Sequence, residues 1–236
     1  MKGKLIVLIL LLTVFLGGMG AFLYPIVNGL LLDRQQSRTA QLFLSREQEQ
    51  NEIQAPEPAD RLRIAMEAYN QRIFEEGQAG FNSVAAYETP SFLLSDYGLE
   101  EEVFGVISIP SLNVGMPIYL GASAENLALG AAHLSQTSLP IGGENTNCVI
   151  AGHRGWRGGA YFRDIPRLKA GDLVQITNLW ETLTYQVKEV KTIYPQSSTA
   201  LLIQPGQDLL TLMTCEYAPG GVKNRCLVIC ERVEAS

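Results

Sequence analysis

The sequence contains few of the side chains that metal sites and nucleic-acid surfaces require. Of its 236 residues only two are histidines and four are cysteines, and the formal net charge is −6. A chain of this charge lacks the basic stripe that nucleic-acid binding usually needs. No CxxC pair occurs, and two histidines supply too few ligands for a typical zinc site. We therefore expect no nucleic acid, no metal and no cofactor, and histidine chemistry has two candidates, His133 and His153.

A long apolar run near the N-terminus predicts export. Two lysines precede an apolar stretch that extends from Leu5 to Val27 and continues to Leu32. A helix of this length spans a hydrocarbon core of roughly 30 Å, and the leading lysines favour a cytoplasmic N-terminus. Small residues at 18–20 leave a cleaved signal peptide as an alternative. Because the apolar run continues beyond them, we favour an uncleaved anchor over residues 1–32, with the rest of the chain outside the cell.

After the anchor, the pattern changes from polar helix to short strands. Residues 33–58 are polar and predict a helical stalk, while residues 59–102 combine an amphipathic helix with a long loop. From residue 103 onward, short apolar runs alternate with turn residues, which is typical of β-strands. Seven or so strands within about 130 residues favour a mainly β catalytic domain, a barrel or closed sandwich, over residues 103–236.

Export raises the question of whether the cysteines form disulfides, as they often do outside the cell. Cys226 and Cys230 lie four residues apart in one apolar run. On a strand their Cα atoms would be ~13 Å apart, which is too far for a disulfide. These two residues and Cys148 are therefore interpreted as small buried side chains. Cys215 differs because it ends the run "DLLTLMTC" directly before a loop.

Three reactive side chains stand at the ends of predicted strands, where scaffolds commonly carry functional groups. Arg225 lies ten residues after Cys215 across one predicted turn, so we expect the two side by side at the mouth of the barrel. A cationic neighbour favours the nucleophilic thiolate. His153 precedes a glycine-rich loop at the same mouth, and His133 could line it as well. These residues suggest an exported cysteine enzyme, with an exported binding module whose Cys215 is structural as the alternative.

Several segments occur in an arrangement that points to one enzyme family. "TLMTC" is followed by an arginine ten residues later, and "AGHRG" lies about sixty residues upstream. This arrangement resembles the sortase family. "GVISIPSLNVGMPIYLGAS", "GAAHLSQTSLPIGG" and "AGHRGWRGGAYFRDIPRLKAGD" are similar to its class C, pilin-polymerising branch. The resemblance implies an eight-stranded sortase-type β-barrel with short helices, preceded by the transmembrane helix and the stalk.

The resemblance also implies a cysteine transpeptidase that acts on LPxTG-like sorting signals of secreted surface proteins or pilins. Cys215 would attack the Thr–Gly bond and form a thioacyl-enzyme, His153 would transfer protons, and Arg225 would stabilise the oxyanion. The acceptor amine would be a pilin lysine, with a housekeeping role on peptidoglycan as the alternative. Such an enzyme would work at the outer face of a Gram-positive cell membrane, held there by its single N-terminal helix.

Substrate contacts are expected beside the cysteine, at Thr214, Glu216 and Tyr217, and at His133. The sequence departs from the class C pattern at two places that concern the substrate. The Asp-Pro-aromatic lid is missing and Ala79-Gly80-Phe81 is its nearest equivalent, so we expect residues 77–100 to leave Cys215 open. The usual Thr-Pro-Tyr after the cysteine is replaced by Glu216 to Pro219, which predicts a shifted preference for the sorting signal.

Overall fold

Eight β-strands form a closed barrel in the computed structural model of the chain. The structure describes residues 2–51, 57–82, 87–100, 102–194, 197, 199–217 and 223–234. The strands are β1 (Val103–Ile109), β2 (Val114–Leu120), β3 (Ala131–His133), β4 (Thr146–Ala151), β5 (Leu173–Thr177), β6 (Thr182–Ile193), β7 (Asp208–Tyr217) and β8 (Lys223–Arg232). They are hydrogen-bonded in the order β1-β2-β3-β4-β7-β8-β6-β5, and β5 pairs with β1 to close the barrel. The prediction of a mainly β, eight-stranded barrel is confirmed.

Alternation along the strands separates an apolar interior from an outer face. Leu210 and Leu212 of β7 belong to the interior cluster. Met213 belongs instead to a second cluster, in which Val149 of β4 also lies. Because side chains alternate with a period of two residues, Cys215 shares the outer face with Met213. The expected place at the mouth of the barrel is therefore corrected to the outer side of its wall.

A helix of 50 residues, α1 (Lys2–Asn51), precedes the barrel. Its apolar part contains an 18-residue window of mean hydropathy 2.6, none of it buried inside the protein, so by length and composition α1 could cross a membrane. Farther along, Gln36, Ala40 and Phe43 are buried, and the last two pack against Val106 of β1. Residues three or four apart share one face of a helix. The predicted stalk is therefore helical, and this face of it lies against the barrel.

A second helix, α2 (Glu57–Glu75), packs against the barrel beside β1. Its buried face includes four large apolar residues spaced three or four apart, Leu62, Met66, Tyr69 and Ile73. They form a cluster with Phe104 of β1. The helix stops at Gly77, whose φ of +61° is a left-handed conformation that glycine adopts without strain. The amphipathic helix and its glycine stop agree with the sequence pattern.

The segment after α2 contributes an aromatic side chain to the second cluster, the one with Met213 and Val149, which we call the outer cluster. Phe81 lies in a short 3₁₀ helix (Ala79–Asn82) and is 2% exposed. Its ring packs on Tyr87 with 5.2 Å between ring centroids. Residues 83–86, part of the predicted degenerate lid, lie outside the described residues.

A short α-helix, α3 (Ala124–Leu129), connects β2 to β3. It is capped by the Ser123 hydroxyl, which accepts a hydrogen bond from the Asn126 amide.

His133, at the end of β3, is completely buried. Its Nε2 atom lies 3.0 Å from the carbonyl oxygen of Ser138, which can only accept, so we assign the proton to Nε2. The Nδ1 atom has no hydrogen-bond partner among the described residues. Protonation would therefore bury a charge and an unpaired N–H, and burial lowers the pKa of His133 to about 4. The expected contact between His133 and substrate is wrong, because the ring has no exposed surface.

The folded protein should lose stability in acid because of His133. An unfolded histidine takes up a proton near pH 6.5, whereas the folded one resists protonation until about pH 4. Lowering the pH from 7 to 5 should thus reduce the free energy of unfolding by about 2 kcal/mol through this residue. His133→Gln keeps a donor for Ser138 and should lack this part of the pH dependence. Urea unfolding of both proteins at the two pH values measures it, and equal pH dependence in the two would contradict the assignment.

Candidate active site

A cleft of about 220 Å³ lies on the outer face of the barrel, where β4 and β7 end and β8 begins. Cys215, His153 and Arg225 all line it, together with apolar side chains that include Leu134 and Met213. The three residues come from different strand ends, and the topology of the sheet brings them to one place. The cleft therefore combines a thiol, an imidazole and a guanidinium against an apolar surface.

Cys215 and Arg225 face each other across the ladder between β7 and β8. In this antiparallel pair Cys215 is directly opposite Arg225, within an unbroken register that runs from Leu209 to Tyr217. The Nη1 atom of Arg225 lies 3.5 Å from the Sγ atom of Cys215, a hydrogen-bond distance for sulfur. Arginine stays charged at physiological pH. The sulfur therefore has a permanently charged guanidinium within hydrogen-bond distance.

His153 reaches the cleft because β4 runs parallel to β7 and ends beside it. The Gly152 amide donates to the Met213 carbonyl oxygen at 3.0 Å, which carries the β4–β7 contact one residue past the strand. The imidazole stacks on Trp156 with 4.6 Å between centroids and 17° between planes, and the Tyr161 ring meets it edge-on at 5.8 Å. Burial lowers the pKa of His153 below its ordinary value of 6.5. The ring is therefore mainly neutral at pH 7.

Arg154 is a site residue that sequence reasoning missed. Its Nη1 atom donates to the carbonyl oxygen of Cys215 at 3.4 Å and lies 3.6 Å from Oε1 of Glu216. Oε2 of Glu216 accepts a hydrogen bond from the Thr192 hydroxyl. The carboxylate next to the cysteine is thus held by Arg154 on one oxygen and by Thr192 on the other. The signal in the sequence that could have pointed to Arg154 is its position directly after His153.

Thr214 and Tyr217, the other two predicted substrate contacts on β7, differ from each other in their surroundings. Thr214 lines the cleft but is only 2% exposed, and its hydroxyl donates to the Gly152 carbonyl oxygen at 2.8 Å. This bond joins β7 to the strand end that carries His153. Tyr217 ends β7 opposite Lys223. Residues 218–222 lie outside the described residues, and with them most of the departure from the class C pattern after the cysteine.

The segment that replaces the lid forms part of the cleft. Tyr87 and Glu88 line it alongside Cys215. The Tyr87 hydroxyl donates to the Phe81 carbonyl oxygen at 2.6 Å, and the Phe81 ring is packed into the outer cluster with Met213. Cys215 itself is partly exposed. Phe81, the aromatic residue nearest to the lid position, is therefore packed behind the cleft, where its backbone holds Tyr87.

The other three cysteines are buried in the barrel wall, and all four cysteines of the chain are unpaired. Burial raises the pKa of Cys226 to about 11 and that of Cys230 to about 12, and it raises the pKa of Cys148 well above its ordinary value. Buried neutral thiols of this kind are chemically inert. Over the described ranges no group of three side chains is placed to hold a metal ion.

Comparison with known proteins decides the family. A model of the sortase domain matches residues 107–233, more than half of the chain. The chain belongs to the sortase family. Sortases are cysteine transpeptidases, and among solved structures this sortase is similar to sortase C1 of pilus island 1 of group B Streptococcus. The two are 30% identical with a TM-score of 0.70, over 85% of this chain and 93% of that one.

Other relatives agree with this assignment. Sortase C from Clostridium perfringens is 31% identical with a TM-score of 0.65, over 84% of this sortase and 99% of that chain. Sortase A of Streptococcus agalactiae is 29% identical over 140 residues, which is 57% of this sortase and 56% of that enzyme. The match therefore spans little more than half the length of that relative. The resemblance inferred from "TLMTC" and "AGHRG" is confirmed, and the structural neighbours bear out the similarity to class C.

In the native sortase a thiol reagent should modify one cysteine of the four. Cys215 is partly exposed beside Arg225, whereas the other three thiols are buried. Intact-mass measurement after brief treatment with iodoacetamide should show a single adduct, and urea should release the remaining three sites. Cys215→Ala should show no adduct under native conditions. Rapid native modification of Cys148, Cys226 or Cys230 would contradict the burial that separates them from Cys215.

Proposed function

We propose that this sortase is a membrane-anchored transpeptidase that cleaves an LPxTG-like sorting signal between Thr and Gly and transfers it to an amine. The observation that supports it best is the 3.5 Å contact between Arg225 Nη1 and Cys215 Sγ in a cleft that His153 also lines. A buried structural thiol would not need a permanent cation and a neighbouring imidazole. This arrangement therefore favours catalysis over the alternative of an exported binding module.

In the proposed first step, the Cys215 sulfur attacks the threonine carbonyl carbon. The guanidinium of Arg225 lies where it can donate to the oxygen that becomes negative. His153 takes up the proton that leaves the Cys215 thiol and gives it to the leaving amine as the C–N bond to glycine breaks, so that a thioester remains on the sulfur. In the second step, the neutral His153 takes a proton from the incoming amine. The new amide bond forms and the cysteine is released as its thiolate.

The proposed acceptor is a lysine amine of a pilin subunit. Support comes from the neighbours, since one is described as sortase C1 of a pilus island and another as a pilus-related sortase C of group B Streptococcus. The alternative acceptor is a peptidoglycan stem amine, because relatives named sortase A also match this chain. Glu216 and Tyr217, which follow Cys215 at the end of β7, remain proposed substrate contacts.

The apolar part of α1 is proposed to hold the enzyme at the outer face of a Gram-positive cell membrane. It is long and apolar enough to span a bilayer once, and its side chains there are exposed. The basic residues that precede it favour a cytoplasmic N-terminus. The barrel then lies outside the cell, where secreted proteins that carry sorting signals pass it.

Removal of any of the three proposed catalytic groups should abolish or strongly reduce cleavage of an LPxTG peptide. Cys215→Ala should lose all detectable turnover, His153→Ala should lose about 10²–10⁴-fold, and Arg225→Lys about 10²–10³-fold. Matched controls are Cys226→Ala and His133→Gln, which change the same residue types at buried positions. Chromatography of the cleaved peptide with mass detection measures the rates. A Cys215→Ala protein as active as wild type would contradict the role of Cys215 as the nucleophile, and a wild-type protein that does not cleave the peptide would favour the binding-module alternative.

The acceptor can be identified by competition in one reaction mixture. The full-length enzyme in detergent, an LPxTG peptide, a lysine-bearing pilin domain and a peptidoglycan stem peptide are combined at equal amine concentration. We expect the pilin adduct to dominate, and its linkage through a lysine side chain can be read by peptide mass spectrometry. Preferential coupling to the stem peptide would replace the pilus role with wall anchoring.

A further inference from the structure

The loop that carries His153 makes direct contact with α1, 127 residues or more away in sequence. The Asn28 side chain donates to the Arg157 carbonyl oxygen at 2.7 Å, and the Asp33 carboxylate accepts from the Ala160 amide at 3.1 Å. Between these two bonds the backbones touch, since a Cβ added at Gly29 would collide with the Gly158 carbonyl group. A Cβ added at Gly158 would in turn collide with the Pro25 carbonyl oxygen, so the loop is held on one short stretch of α1, residues 25–33.

The contact is made by a tight turn. Trp156 and Gly159 exchange two backbone hydrogen bonds of 3.1 and 2.9 Å, and the two residues between them have positive φ angles of 47° and 95°. These values are typical of a two-residue type I′ hairpin. The turn presents its tip, Arg157-Gly158, to α1. We refer to residues 156–159 as the 156–159 turn.

The place of the turn along α1 sets its height relative to a bilayer. The apolar run from Leu5 to Val27 is about 33 Å long at 1.5 Å per residue, enough for the hydrocarbon core. Beyond it lies a headgroup layer of roughly 5–7 Å on each side, which corresponds to about four residues of helix. The contacts at Asn28 and Gly29 fall inside this layer, the contact at Pro25 lies at its inner edge, and Leu30 and Leu31 on the same part of α1 are exposed.

The side chains of the turn suit that layer. Trp156 is 38% exposed, and tryptophan is enriched at membrane–water interfaces. The Arg157 guanidinium lies 5.6 Å from the Trp156 ring centroid and can meet anionic headgroups. The Trp156 ring also stacks on His153 at 4.6 Å. One aromatic ring thus contacts both the cleft and the proposed membrane side.

We propose that the 156–159 turn is a membrane-contacting surface that lies in the phospholipid headgroup layer beside α1. Through the Trp156 ring, this lipid contact reaches the proposed catalytic ring of His153. The inference rests on the proposed anchoring of α1, and it adds that the active-site loop itself touches the bilayer that α1 spans. The cleft is then held at the membrane surface at a height set by the helix.

The two tryptophans of the chain allow a direct test. Trp180 packs against Phe104, and its neighbour Leu179 lies in a cluster with Phe43 of α1. That level of α1 is about 20 Å beyond Asn28, by the rise of the helix. The full chain is reconstituted in vesicles of phosphatidylcholine and phosphatidylglycerol whose acyl chains are brominated near the headgroup. Trp180→Phe leaves Trp156 as the only tryptophan, and Trp156→Phe leaves Trp180.

Brominated lipid should remove about half or more of the Trp156 emission and leave that of Trp180 nearly unchanged, because only an interfacial ring meets the bromines. Gly29→Val, made in the Trp180→Phe background, should displace the turn and restore Trp156 emission. Gly20→Val is the matched control, since no atom lies within 4 Å of a Cβ at that position. It should leave the quenching unchanged.

Flotation of the same vesicles distinguishes a failure of the proposed anchoring from a failure of the proposed headgroup contact. A chain that does not float with lipid would overturn the proposed anchoring itself. A chain that floats but keeps full Trp156 emission would overturn the contact between the turn and the headgroups while leaving the anchor intact. Equal quenching in Gly29→Val and Gly20→Val would overturn the claim that docking on α1 sets the height of the turn.

Discussion

The antiparallel ladder between β7 and β8 is the constraint on which the site depends. It puts Cys215 opposite Arg225, and the short separation between guanidinium and sulfur follows from that pairing. A slip of one residue would turn every side chain of β8 to the other face. The interior leucines of β7 and Val228 of β8 resist such a slip, because it would expose them. The barrel core therefore sets the register that the chemistry uses.

The loop that carries His153 is secured from three directions. The Gly152 backbone bonds to Met213 and to Thr214 of β7, so the strand end cannot separate from the cysteine strand. Trp156 stacks on the imidazole from within the loop. The tip of the loop lies on α1 at Asn28. The position of His153 therefore depends on the barrel and on the helix that precedes it, which links the proposed anchor to the cleft.

Much of the fold was predictable from local pattern. Period-two alternation and turn residues indicated the strands, and three-to-four spacing indicated α2. The pairing of Cys215 with Arg225 was also accessible, because ten residues allow only one turn between neighbouring strands. Other features were not accessible. Arg154 meets Glu216 and the cysteine carbonyl only because β4 ends beside β7, 61 residues farther along the chain. Alternation alone also does not say which face of β7 is the interior one.

Local spacing and residue type were enough to predict the family, the mainly β character and the apolar helix, and to single out Cys215, His153 and Arg225 as the proposed catalytic residues. The tertiary structure decided which side of the barrel wall carries the cleft, that His133 is buried and His153 is not, and that the 156–159 turn docks on α1. These outcomes depend on contacts between segments far apart in the chain. Such contacts follow from how the strands are ordered and closed, and no short stretch of sequence encodes them.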